Sequence, residues 1–561
     1  MFEISGNPCL VWKCSEGPLD GLRPFITRDY RDSIEERDFC VMKKKHTIIA
    51  DDPDIIFEPF IAAVREDDYE TVLKIFSDLE SDTERAYLLI ATDGQGDNAI
   101  NLATSKQNQT LFKLFAKRGV CVSYDKHEQT PLHCAAKEGF VDTVVFLLNQ
   151  SEETYQHINN EFFGKEKFEN SNMTLQFENN PSINSQEMLA YINSVSNRAD
   201  TVLIAAVQGG HLEVTRILLE SGADVNSANR GGYTALMYAA KNEHHEVTRM
   251  LLESRADTNS ADSYGNTALI FAARGGYHEV TSMLLKSGAD TNSADSYGNT
   301  ALIFAARGGH HEVTRMLLEF GAKTNAADSY GNTALIFAAQ YKHHEVTRTL
   351  LESGADTNSE DRYGNTALIF VAQGGHHEVT RMLLESGADT NSADNYGNTA
   401  LIFAARGGHH EVTRMLLESG ADTNTADSYG NTALMLAAEN GDHEMTSMLV
   451  KSGADINSAD SDGNTALILA AENIHLEVTR ILLESEAKIN HQNAIGETAM
   501  SIAASHGYVN IVKLLLQFKA NISLQDQNGR TALSWAEERG HQEIVNLLSG
   551  HQENQQTWGK V

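Results

Sequence analysis

From about residue 200 onward the apolar letters arrive in two short blocks, and the pair of blocks returns many times. In 267–285 the first block is "TALIFAA", then Arg274-Gly275-Gly276-Tyr277, then "HEVTSMLL". Leu269, Phe271 and the small pair Ala272-Ala273 fit one short helix, and Val280, Met283, Leu284 and Leu285 fit a second, with the Gly pair breaking the chain between them. The polar run "SGADTNSADSYGN" that follows supplies Gly, Asp and Asn where a turn needs them. Gly288 is placed to end the second helix and Gly265 to take a positive φ. The predicted unit is therefore helix, helix, loop.

The Thr that opens the first block gives the phase. Thr234, Thr267, Thr300, Thr333, Thr366, Thr399, Thr432, Thr465, Thr498 and Thr531 follow one another at steps of 33 residues, and one period back lies Thr201. Eleven tandem units thus run over 196–550. A chain so organised buries apolar surface between neighbouring units rather than in one globule. The last unit places Trp535 in its first helix and Glu537, Glu538 and Arg539 after it, as expected of a terminal unit with a polar outer face.

Upstream, "QTPLHCAAKEGFVDTVVFLL" (129–148) contains Thr130, Pro131, Leu132 and His133. With the 33-residue period, this resembles the ankyrin repeat family, whose signature is T-P-L-H-x-A. The segments 59–76 and 96–119 resemble degenerate copies, about three such units filling 57–149. The resemblance implies an all-α repeat solenoid of helix-turn-helix units joined by β-hairpin-like loops. The central copies depart from it, with Ala268, Ala301 and Ala334 for the signature Pro and Ile270, Ile303 and Ile336 for the signature His. The step from Thr130 to Thr201 is 71 residues, so 150–195 is expected to be an insertion or a decayed repeat. Residues 1–56 show no period and 551–561 read as a polar tail.

Charge narrows the partners. Lys and Arg total 44 against 77 Asp and Glu, a formal net charge of −33, which opposes binding to nucleic acid or to an anionic membrane face. No run approaches the ~18 apolar residues that span a bilayer. The five cysteines (Cys9, Cys14, Cys40, Cys121, Cys134) make no disulfide framework. The expectation is a soluble, intracellular protein, cytoplasmic, with the nucleus left open.

The conspicuous histidines, such as His244-His245, His310-His311, His343-His344, His376-His377 and His409-His410, fail the zinc-protease pattern because "HEVTR" carries Arg where a second ligand should stand. Family resemblance gives the first His of each pair a structural part, capping and packing the second helix. Cys9, Cys14, Cys40 and His46 could form a four-ligand zinc knot, but their spacing matches no common finger. No metal and no cofactor is expected. Asn259, Asn292, Asn391 and Asn424 are similar to the asparagines that hydroxylases modify in some ankyrin proteins; their turn-holding role suffices to explain them. No nucleophile elbow, phosphate loop or kinase signature appears, so catalysis is not expected.

Partner-binding candidates lie in the loops and at the ends of the first helices. Tyr264, Tyr297, Tyr330, Tyr363, Tyr396 and Tyr429 precede the phase Thr by three and are followed two places on by Asn266, Asn299, Asn332, Asn365, Asn398 and Asn431. Lys241, Arg274, Arg307, Gln340, Gln373 and Arg406 follow Ala-Ala or Val-Ala, and in the ankyrin fold both sets are implied to face one concave side. Tyr and Arg are residues that carry binding energy at interfaces. The expected function is a scaffold that binds a protein partner, one with an acidic patch, through this face. Two alternatives stand beside it: an adaptor that recruits an enzyme through 1–56 or 150–195, and a self-associating structural protein.

Overall fold

A computed structural model describes residues 54–79, 88, 99–105, 108–117, 129–148 and 184–558. The chain forms two compact units, Met1–Ser296 and Tyr297–Val561. Both are all-α repeat solenoids, built the same way. Among the described residues the β-type pairings are isolated bridges, such as Ala327 with Thr333 and Ala393 with Thr399.

Most of the regular repeats start where a Thr caps a helix. In the second unit, Thr366 has extended backbone and its hydroxyl accepts the N–H of Ile369 at 3.3 Å, which starts the inner helix Ala367–Gly374. After a tight turn the outer helix His377–Glu385 runs back. Ala367, Leu368, Ile369, Val371 and Ala372 are buried on the inner helix, and Val379 and Leu383 on the outer one. The small side chains let consecutive inner helices pack directly, from Ala301–Gly308 through Ala532–Arg539. Outer helices pack on outer helices.

The loops are tied from repeat to repeat by asparagine. The side-chain oxygen of Asn391 accepts the N–H of Asp422 at 2.8 Å, and Asn358 with Asp389, Asn424 with Asp455 and, in the first unit, Asn259 with Asp290 do the same. This gives the "GADTN" asparagines a packing role: each satisfies a backbone donor that the loop would otherwise leave open.

In the first unit, helix pairs at Asp54–Arg65 and Tyr69–Asp78, Ala99–Ser105 and Gln109–Lys117, and Pro131–Glu138 and Val141–Leu148 precede the regular repeats. Phe60, Phe76 and Phe115 form an aromatic cluster with ring centroids 5.5 to 6.0 Å apart. The inner helix Pro131–Glu138 packs directly on Val202–Gln208. His133, fully buried, bonds the hydroxyl of Thr130 through Nδ1 and the carbonyl of Asp200 through Nε2 at 3.1 Å. The two inner helices are therefore direct neighbours despite the 71-residue step. A further helix, Asn184–Ile192, leads into the loop whose Asn193 accepts the N–H of Asp224 at 2.8 Å.

Two terminal features differ from expectation. The final outer helix extends over Gln542–Trp558, past the boundary at 550, because "HQENQQ" contains good helix formers and no stop signal. In the last repeat Arg530 replaces the usual Asn, and the Asp526 carboxylate accepts from its Nε at 3.1 Å and from Trp535 Nε1 at 3.2 Å. Burial alone would raise the Asp526 pKa, but the backbone N–H groups of Arg530 and Asn528 and the guanidinium hold it below the usual carboxylate value. The zinc-knot candidates Cys9, Cys14, Cys40 and His46, and most of the insertion at 150–195, lie outside the described residues.

Candidate functional site: the loop tips and inner-helix ends

Each tip is organised by one aspartate. In the repeat at 394–398, Asp394 Oδ1 accepts the N–H of Tyr396 at 2.9 Å and of Asn398 at 2.8 Å, an Asx turn closed by Gly397 at φ +78. The Asn398 amide donates back to both carboxylate oxygens, at 3.2 and 3.0 Å. The same set recurs at Asp328/Tyr330/Asn332, Asp361/Tyr363/Asn365 and, in the first unit, Asp262/Tyr264/Asn266. Successive tips are then stitched together: the carbonyl of Tyr396 accepts the N–H of Ser428 at 2.7 Å, and that of Tyr330 the N–H of Arg362 at 2.7 Å.

The turn sorts the predicted residues into two groups. Tyr264, Tyr297, Tyr330, Tyr363, Tyr396 and Tyr429 all project into solvent, between 44% and 67% exposed. The asparagines go the other way. Asn266 and Asn398 are 7% exposed, and Asn299, Asn332 and Asn365 are half-buried. The reading that placed the asparagines beside the tyrosines on the projecting surface is thus corrected. A carboxylate that takes two backbone N–H groups also attracts the nearest amide donor, and Asn is spent inside the turn.

Lys241, Arg274, Arg307, Gln340, Gln373 and Arg406 are exposed at the ends of their inner helices. The cations lean on aromatic rings: Arg307 lies 5.5 Å from the Phe337 centroid, Arg406 5.5 Å from Phe403, and Lys241 5.5 Å from Tyr233. Arg406 Nη2 also donates to Asn398 Oδ1 at 3.1 Å and lies 3.4 Å from Asp427 Oδ2 of the next repeat. Helix end and tip are therefore joined in one polar network.

Two contributors escape the pattern reading. Phe304, Phe370 and Phe403 are half-buried, whereas the Leu and Ile before them in each block are about 1% exposed, so the phenylalanines floor the same face. "TALIFAA" is apolar throughout, and nothing in it marks which letter looks outward. Arg362 sits 4.9 Å from the Tyr330 centroid and 6.0 Å from that of Tyr363. It had a signal, since it breaks the repeated "DSYGN" with "DRYGN".

The first histidine of each pair does not cap its helix: His343, His376 and His409 stand at the N-cap without a side-chain capping bond. Nε2 of His409 instead donates to the Gln373 carbonyl at 3.1 Å, as His343 does to Arg307 and His475 to Glu439 at 2.8 Å. These carbonyls belong to the last turn of the preceding repeat's inner helix, where they find no N–H donor within that helix. Burial, with Lys342 nearby, lowers the pKa of His376 to about 4. The second histidine reaches forward, His410 Nε2 to Asp442 Oδ2 at 2.6 Å and His311 Nε2 to Thr349 Oγ1 at 3.1 Å. Among the described residues no three His, Cys, Asp or Glu side chains converge as metal ligands. No described helix is long and apolar enough to cross a membrane.

Comparison with known sequences agrees with this architecture. The family described as "Ankyrin repeats (3 copies)" matches residues 60–160, 178–262, 203–295, 269–361, 353–427, 420–493 and 485–557. No curated protein matches the chain. The matched segments take in nearly the whole of the described structure, first unit and second alike, and the chain belongs to the ankyrin repeat family.

Proposed function

We propose that the protein is a scaffold that captures a protein partner on the face formed by the tyrosine tips and the exposed ends of the inner helices. Ankyrin repeats are in general protein–protein interaction modules. The observation that carries the finer reading is the row of exposed tyrosines in the second unit, each bonded through its backbone to the next tip, with Tyr330, Tyr363, Tyr396 and Tyr429 held by the same Asp-centred turn. A large ring presented on a pre-ordered loop loses little entropy on binding. Arg362 lies beside the Tyr330 and Tyr363 rings, and exposed Arg307 and Arg406 lie on Phe337 and Phe403 of the same face; these cations favour an acidic patch on the partner. The asparagines act through the turn, as positioning residues.

The test is capture by the tagged full chain, with and without Tyr297, Tyr330, Tyr363 and Tyr396 changed together to Ala. These rings are exposed, so the melting temperature should hold while capture drops at least about tenfold, the loss of one or two interface anchors. Undiminished capture would refute the reading.

A further inference from the structure

The row of inner-helix ends in the second unit changes sign midway. Arg307, Gln340, Gln373 and Arg406 occupy it first; Glu439, Glu472, Ser505 and Glu538 continue it in the same position of the later repeats. The three glutamates are exposed, as are the arginines. Consecutive inner helices pack at each step, so the eight positions form one row with a basic half and an acidic half. The tips follow suit: Arg362 stands in the basic half and exposed Asp462 replaces the tip tyrosine in the acidic half.

Such a row is complementary to itself when reversed. We propose that the acidic partner of the basic half is the acidic half of a second copy of this chain, the two faces meeting antiparallel. The two-fold axis lies in the interface, perpendicular to the row and between Arg406 and Glu439. This rests on the proposed function and names its partner.

The register follows from the sequence of the row. Reversal about that axis sets Arg406 against Glu439, Gln373 against Glu472, Gln340 against Ser505 and Arg307 against Glu538, each pair occurring twice by symmetry. A parallel arrangement would set Arg on Arg and Glu on Glu. Half-buried Phe403 lies next to the central charged pair and adds apolar surface there. At 0.15 M salt the repulsion from the net charge of −33 is largely screened beyond about 8 Å, so the charges facing each other across the interface decide the register. Arg406 keeps donors for a new partner beyond those spent on Asn398 and Asp427.

Sedimentation velocity of the purified full chain should show a dimer. Glu439→Arg replaces two attractive contacts with two repulsive ones and should raise the dimer dissociation constant at least about tenfold, as should Arg406→Glu. The double variant Arg406→Glu/Glu439→Arg should restore the dimer, an outcome that a merely misfolded variant cannot give. Melting curves of Glu439→Arg, whose side chain is exposed, check the fold independently. A monomer at all concentrations overturns the inference, and tyrosine-dependent capture of another protein by that monomer would assign the face to that occupant while leaving the proposed function intact. A dimer indifferent to both reversals also overturns it. Loss of tyrosine dependence in capture, by contrast, strikes the proposed function itself.

Discussion

Gly375 and Gly408 make a matched pair on which the histidine packing can be measured. Both end an inner helix in the left-handed region, at φ +66 and +67. A Cβ on Gly375 would lie 2.6 Å from Nδ1 of His409, whereas one on Gly408 would meet Asp442 Oδ2 at 3.7 Å, an ordinary contact. Alanine at either site suffers the left-handed penalty of roughly 1–2 kcal/mol. Only at Gly375 must the imidazole also move, breaking its bond to the Gln373 carbonyl, a further loss of about 0.5–1.5 kcal/mol before any packing is counted. Gly408→Ala should therefore cost about 1–2 kcal/mol and Gly375→Ala about 2–3. Local opening is the right quantity, because a long repeat array need not unfold as one unit. Hydrogen exchange on the full chain, read in peptides from 367–385 and 400–418, gives it directly. In the His409→Ala background the two alanine penalties should converge, as a double-mutant cycle requires. Equal penalties in the parent chain would refute the claim that the ring against glycine holds adjacent repeats together.

Other outcomes follow from single residues. Burial lowers the pKa of His133 to about 4, against about 6.5 in an unfolded chain. Between these values the unfolded state binds more protons, so stability in this repeat is intact above about pH 7 and falls by about 3 kcal/mol as pH drops to 4. Exchange in 131–148 measured from pH 7.5 to 4 checks the sign, and a flat profile would contradict it. Ile474, a β-branched residue, is held at φ +66 where most repeats have Gly, so Ile474→Gly should stabilise its repeat by about 1 kcal/mol. Slower exchange in 466–484 is the expected signature, and faster exchange would count against stored strain there.

The site was only partly legible in the letters. The tyrosines could be placed outside because an Asp-x-Tyr-Gly-Asn turn leaves a large ring nowhere else to go. Asn398 looks equally polar and equally exposed until the Asp394 carboxylate is seen to take its amide. His409 stands where a helix cap belongs, and only the stacked neighbour reveals that it serves the Gln373 carbonyl instead.

By itself the sequence determined the tile: its period, the Thr that starts each inner helix, the glycines that reverse the chain and the apolar blocks that become core. These are short-range choices, made within a few residues by backbone sterics, capping and the hydrophobic period. The tertiary structure decided what crosses from tile to tile. It paired Asn391 with Asp422, made the repeats at Pro131 and Val202 neighbours across a broken period, turned Phe403 outward, and aligned Arg406 with Glu439 in one row. The physical reason is that these contacts join residues about one repeat apart whose partners are fixed only when the helices stack, and a one-dimensional pattern carries no record of which side of a helix the next repeat will cover.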